Sequence, residues 1–144
     1  MYYLNFDGGC MPRNPGGIAI GSWVIRDHAG AIVETGAQEV CRGDGATNNV
    51  AEWAGLVFGL EAIAKHTSDT IDIKGDSQLI INQLNGSYKV RQEHLKPWKE
   101  QALKILELFK NWKATHVKRE FNEEADKVGN DKYTEIIKHE TKRT

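Results

Sequence analysis

The chain has 144 residues, the usual size of one domain and enough to bury a real core. With 40% hydrophobic and 27% charged residues it has the composition of a soluble globular protein, and no stretch approaches the roughly 20 apolar residues needed to cross a bilayer. A net charge of -1 excludes a globally basic protein, and the start, Met1 to Asp7, lacks the sections of a signal peptide.

The expected location is therefore the cytoplasm, without a membrane partner, and the expected organisation is a single monomeric domain over residues 1–144. Residues 2–10 are predicted as a strand, since Tyr2, Leu4 and Phe6 alternate with Tyr3, Asn5 and Asp7. Residues 11–17, with Pro12, Pro15, Gly16 and Gly17, mark a loop. Two further strands follow over 18–27 and 31–42, joined by a turn at His28-Ala29-Gly30. A helix is predicted over 48–66, with Thr47 or Asn48 as N-cap and Val50, Trp53, Val57, Leu60 and Ala64 at helical spacing. A short strand over 70–75, a short helix over 77–85 and a loop from Tyr88 to Leu95 come next.

An amphipathic helix is predicted over 96–111, a last strand over 113–118, and a final helix over 122–139. In that last helix Gly129 costs roughly 1 kcal/mol relative to Ala. The order βββαβααβα makes the first three strands antiparallel, and the later ones should join in parallel. The expected fold is one mixed sheet with helices on its faces, an α/β domain. Cys10 and Cys41 form no CxxC pair and are expected as packed free thiols. Charge is uneven: residues 89–119 hold nine Lys or Arg against three Asp or Glu, beside acidic segments. Such a pattern fits either a nucleic-acid surface or a solvated helix.

Four acidic residues stand near the ends of separate elements: Asp7, Glu52, Asp76 and Asp126. Four ionised carboxylates cannot share a dry cavity, because repulsion would raise their pKa values and protonate some of them. A divalent cation removes that conflict; Mg²⁺ takes oxygen ligands and keeps several waters. Two such ions can grip the attacking and leaving oxygens of a phosphoryl displacement. Each acid also has a plain structural alternative. Asp7 before Gly8-Gly9 could start a turn, Glu52 could be a favourable charge near a helix N-terminus, Asp76-Ser77 could be an N-cap, and Asp126 could be a solvated helix residue.

The local sequences around these acids resemble those of the ribonuclease H type 1 family. Asp7-Gly8-Gly9-Cys10 with Asn14-Pro15-Gly16-Gly17 is similar to its first-strand motif, and Thr47-Asn48-Asn49-Val50-Ala51-Glu52 to its TNNxxE helix start. Gly75-Asp76-Ser77-Gln78 is similar to its GDSQ turn, and Asn122-Glu123-Glu124-Ala125-Asp126 to its NxxAD helix start. Four such motifs occur in the family's order across nearly the whole chain. The resemblance implies a ribonuclease H-like fold, a five-stranded sheet in the order 3-2-1-4-5. It implies Asp7, Glu52, Asp76 and Asp126 as catalytic metal ligands for Mg²⁺, with Mn²⁺ as a substitute. It also implies an endonuclease that hydrolyses the RNA strand of RNA/DNA hybrids and leaves 5′-phosphate and 3′-hydroxyl ends.

By the family's pattern Asn14, Asn48, Asn49, Ser77 and Gln78 bind the hybrid, whose 2′-hydroxyl distinguishes RNA from DNA. Thr47 resembles a contact to a DNA phosphate; capping is its alternative role. Two departures narrow the resemblance. The segment Val117 to Asn122 lacks the loop histidine of bacterial members, and His116 lies earlier, inside the strand. Arg119 or Glu120 is the candidate for part of that task. The basic protrusion is also missing, leaving Lys89, Arg91, Lys96 and Lys99 as a smaller substitute, with Trp98 expected in the core. Two other classes stay open: a non-catalytic hybrid-binding module, and a related nuclease on this fold that acts on other duplexes.

Overall fold

The first strand organises the rest. In a computed structural model, which describes residues 1–142, β1 (Tyr2–Met11) is the centre of a five-stranded sheet in the order β3-β2-β1-β4-β5. Its alternation predicts which face is buried: Leu4 and Phe6 are fully enclosed. β2 (Ile18–Arg26) and β3 (Ile32–Arg42) add antiparallel, with Phe6 opposite Trp23 and Ser22 opposite Ala37. β4 (Ile71–Gly75) joins β1 in parallel, from Tyr2 opposite Ile71 to Phe6 opposite Gly75, and β5 (Trp112–His116) joins β4 in parallel.

One face of the sheet carries α1 (Asn48–Ile63), which packs on β1 and β2 with α3 (Lys96–Leu106) beyond it. Enclosed between sheet and α3, α1 is buried nearly all round, and Trp53, Leu56, Leu60 and Ile63 join Leu4, Phe6, Ile71 and Ile73 in the main core. α2 (Gln78–Leu84) ties to α1 through a buried hydrogen bond from Trp53 Nε1 to Gln83 Oε1 at 3.2 Å. The opposite face carries α4 (Glu123–Lys142), which lies over β1, β2 and β3. No described helix is long and apolar enough to cross a membrane.

The caps follow the predicted chemistry. Thr47 accepts a hydrogen bond from the Val50 N–H, and Ser77 caps α2 by accepting from Ile80. Three helix ends differ from expectation by several residues. α3 stops at Leu106 rather than 111, because Leu108 and Phe109 turn more tightly onto Ile105 and Leu106 while Lys110 N–H bonds to Ser68 O. That bond pulls the chain off the helix axis toward β5, yet Phe109 still reaches the core. α1 likewise ends three residues early, at Ile63. The predicted final helix runs three residues further, to Lys142.

Between α2 and β5 the described chain holds one short 3-10 turn, Glu93–Leu95, and the single helix α3, so no extra basic helix is inserted. Trp98 is partly buried and packs against the core, edge-to-face on Phe58 with ring centroids 6.0 Å apart. Cys10 is buried and Cys41 half-buried, both as free thiols.

Candidate metal centre and substrate rim

The sheet register brings the first two carboxylates together. The β1/β4 ladder ends at Phe6 opposite Gly75, so Asp7 and Asp76 are the next residues on neighbouring parallel strands. Parallel strands commonly end in such a functional crevice. β1 itself does not turn at Gly8-Gly9; it continues to Met11 against β2. Gly8 has a different purpose. A Cβ there would lie 2.2 Å from the backbone nitrogen of Glu52, and a Cβ at Gly55 would lie 2.2 Å from the carbonyl oxygen of Asp7. These missing side chains let α1 rest directly on β1 and place Glu52 beside Asp7.

Oxygen atoms of Asp7, Glu52 and Asp76 all lie within 4.8 Å of one another. Asp7 and Glu52 are buried, at 7% and 8% exposure, and Glu52 Oε2 is enclosed without a hydrogen-bond partner. Asp126, on the first turn of α4, shares a cavity of about 220 Å³ with Asp7, Glu52, Asn48, Arg119 and Asn130. Asp7 and Glu52 thus form the centre, with Asp76 on one flank and Asp126 on the other.

Burial dominates the electrostatics. It pushes the Asp7 carboxyl from its ordinary 3.8 up to about 7, helped by the charge of Asp76 and by contact with Asp126, and opposed by the Gly8 N–H. Glu52 is raised well above its ordinary value, first by burial and then by the charges of Asp7 and Asp76; the Arg119 guanidinium pulls it back down. Two buried carboxyls that resist ionisation, Asp7 and Glu52, in a cluster made only of hard oxygen donors and containing one unpartnered buried oxygen, fit a divalent cation such as Mg²⁺.

The amides are distributed around this centre. Asn48 Oδ1 accepts from the Cys10 N–H at 2.9 Å, and Asn14 Oδ1 accepts from the Asn48 N–H at 3.1 Å. Both oxygens are therefore engaged, and each amide presents its NH₂ as a donor. Asn49 does not line the carboxylate cavity; it opens on a neighbouring one of about 480 Å³ with Tyr88, Lys89 and Arg91. Gln78 is exposed at the start of α2 and lines neither cavity. Ser77 and Thr47 act as caps in this structure, each leaving its O–H free to donate. Arg119 and Glu120 sit in a 3-10 turn, Arg119–Phe121; Arg119 lines the carboxylate cavity and Glu120 is exposed outside it.

Sequence reasoning missed several supporting residues. Asn130 donates to Asp126 Oδ2 at 3.3 Å, an i,i+4 pair that helical spacing could have revealed. Ser22, opposite Asp7, donates to the Ala125 carbonyl at 2.7 Å and faces Gly129, where a Cβ would come within 3.1 Å of its hydroxyl. Gly129 is thus a close-approach position where α4 meets β2. Asn122, 1% exposed, donates from Nδ2 to Phe6 O and accepts at Oδ1 from Asn5; no pattern in the sequence announces that burial.

Comparison with known proteins agrees with this geometry. A family model described as reverse transcriptase-like matches residues 5–132. The ribonuclease HI of Halobacterium salinarum is 40% identical over 126 residues, covering 88% of this chain and 61% of that protein. The mycobacterial relatives are 34% identical, and the match spans only 34% of their length. Among solved structures, the RNase H1 of Halobacterium salinarum superposes with a TM-score of 0.85 at 36% identity, covering 93% of this chain and 98% of that one. The N-terminal RNase H domain of a Mycobacterium tuberculosis protein gives 0.83 at 30% identity, covering 90% and 96%. An RNase H1 crystallised in complex with an RNA/DNA hybrid gives 0.81 at 29% identity, covering 91% and 95%. With these matches over nearly its full length, the chain belongs to the ribonuclease H type 1 family.

Proposed function

We propose that this chain is a divalent-cation-dependent endonuclease that hydrolyses the RNA strand of RNA/DNA hybrids, leaving 5′-phosphate and 3′-hydroxyl ends. The observation that carries the reading is the carboxylate cluster centred on the buried Asp7 and Glu52: with Asp76 their oxygens lie within 4.8 Å, and Asp126 shares a cavity with the buried pair. Its relatives support the substrate class, since one of them was crystallised with such a hybrid.

Asp7, Glu52, Asp76 and Asp126 would hold Mg²⁺, with Mn²⁺ as a substitute. When bound, the ions would supply charge stabilisation at the scissile phosphate and a lowered pKa for the attacking water. The chain's own groups do the rest. Arg119 brings a positive charge to the cavity and favours the ionised form of Glu52. The NH₂ groups of Asn14 and Asn48, fixed by their engaged oxygens, donate to acceptors in the hybrid's minor groove. Asn49 and Gln78 extend that rim, Ser77 and Thr47 donate from their hydroxyls, and Lys89 and Arg91 neutralise phosphate beyond it.

The test is hydrolysis of a labelled hybrid with Mg²⁺ or Mn²⁺ by wild type, Asp7→Asn and Asp76→Asn. Loss of cleavage in both variants is expected. Equal cleavage by all three would remove these residues from the mechanism.

A further inference from the structure

We propose that Asn122 is a positioning residue that sets the separation between Asp7 and Asp126, and so the geometry of the fourth ligand. This rests on the function proposed above. Asp126 stands on an exposed first helical turn; Ser22 and Gly129 seat that helix on β2, but neither contact reaches the β1 backbone that carries Asp7. Asn122 supplies the connection. Its Nδ2 donates at 2.9 Å to the carbonyl of Phe6, the residue before Asp7, at the level where the β4 ladder ends. Its backbone carbonyl accepts the Asp126 N–H at 3.2 Å.

A single buried residue thereby joins the peptide ahead of Asp7, through its side chain, to the peptide that carries Asp126, through its backbone carbonyl. Asn5 Nδ2 donates to Asn122 Oδ1 at 3.0 Å, which fixes the amide so that its NH₂, not its oxygen, meets the Phe6 carbonyl. The Asn122 N–H bonds to Arg119 O at 2.9 Å, so the same residue also anchors the turn that brings Arg119 to the cavity. Groups that orient metal ligands in this way typically cost 10–100-fold in affinity or activity when removed. A carboxylate would not substitute: it keeps an acceptor for Asn5 but turns an oxygen toward the Phe6 carbonyl.

The experiment compares wild type, Asn122→Ala, Asn122→Asp and Asn5→Ala. Turnover of an RNA/DNA hybrid is measured alongside calorimetric titration of Mn²⁺ into the substrate-free protein. Both Asn122 variants should lose roughly 10–100-fold in kcat, with KM for the hybrid little changed and Mn²⁺ affinity reduced in parallel. Asn5→Ala should fall in the same direction by less. A purely structural role would lower the melting temperature while leaving kcat and Mn²⁺ affinity of the folded protein intact, and that result overturns the assignment. Should the Asn122 variants fail to fold, Asn5→Ala at its half-buried position carries the test: unchanged Mn²⁺ affinity there overturns it as well. Failure of the variants to differ from an active, Mn²⁺-binding wild type rejects this assignment alone. A wild type that neither binds Mn²⁺ nor cleaves rejects the parent reading and this one with it.

Discussion

Replacing Gly8 by Ala should separate catalysis from folding. The new Cβ would lie 2.2 Å from both Ala51 C and Glu52 N, all backbone atoms that no rotamer change can move aside. Restoring even a tight 3.4 Å contact requires α1 to retreat from β1 by about 1 Å, and Glu52 travels with it. Overpacking of this kind costs about 1–3 kcal/mol of stability. A misplacement of about 1 Å costs on the order of 100-fold in rate. The assay is kcat on a labelled hybrid below the melting transition, beside a denaturant titration. Gly9→Ala serves as the stability comparator, because its Cβ meets only Met11 Cε at 3.9 Å. Gly8→Ala with wild-type turnover, or with the same stability as Gly9→Ala, would refute the close-approach account of Glu52.

Three further outcomes follow. Without metal, Asp7 in the folded protein titrates near 7, above its ordinary 3.8, so the folded state keeps a proton that the unfolded state has released between those values. Stability from this group is therefore full below pH 4 and is lost as pH rises through 7. In EDTA at pH 8, Asp7→Asn should exceed wild type by on the order of 2 kcal/mol, with a smaller gap at pH 5; a variant no more stable at pH 8 contradicts the burial argument. Gly129→Ala should not show the gain of about 1 kcal/mol expected from helix propensity, because its Cβ crowds the Ser22 hydroxyl; a full gain in denaturant unfolding would contradict that contact. Glu120→Gln should lower turnover less than Asp126→Asn, since Glu120 is exposed outside the cavity, and a larger loss at Glu120 would assign it the task of the missing histidine.

Much of the fold was legible because its signals are local. The period of Tyr2, Leu4 and Phe6 gives β1 and its buried face, and Thr47 and Ser77 mark helix starts through capping chemistry. The end of α3 was not legible, because a tertiary bond from Lys110 to Ser68 sets it while Phe109 keeps the helical period. Asp7, Glu52, Asp76 and Asp126 could be named from motif context, and the register explains the first and third: one residue beyond the Phe6/Gly75 pair puts them side by side. What holds them was hidden. Gly8 and Gly129 look like turn or breaker residues until the packing partner is known, and Asn122 looks like a polar helix start although it is fully buried. Such roles depend on what lies across the sheet, which periodicity along one chain does not encode.

The most direct measurement is a cleavage panel in Mg²⁺: RNA/DNA hybrid, duplex RNA and duplex DNA, each with wild type and Asp7→Asn. The account predicts that wild type cuts the RNA strand of the hybrid, leaves duplex DNA intact, and loses hybrid cleavage with Asp7→Asn. Hybrid bound but not cut by wild type, or cut equally by Asp7→Asn, would contradict it.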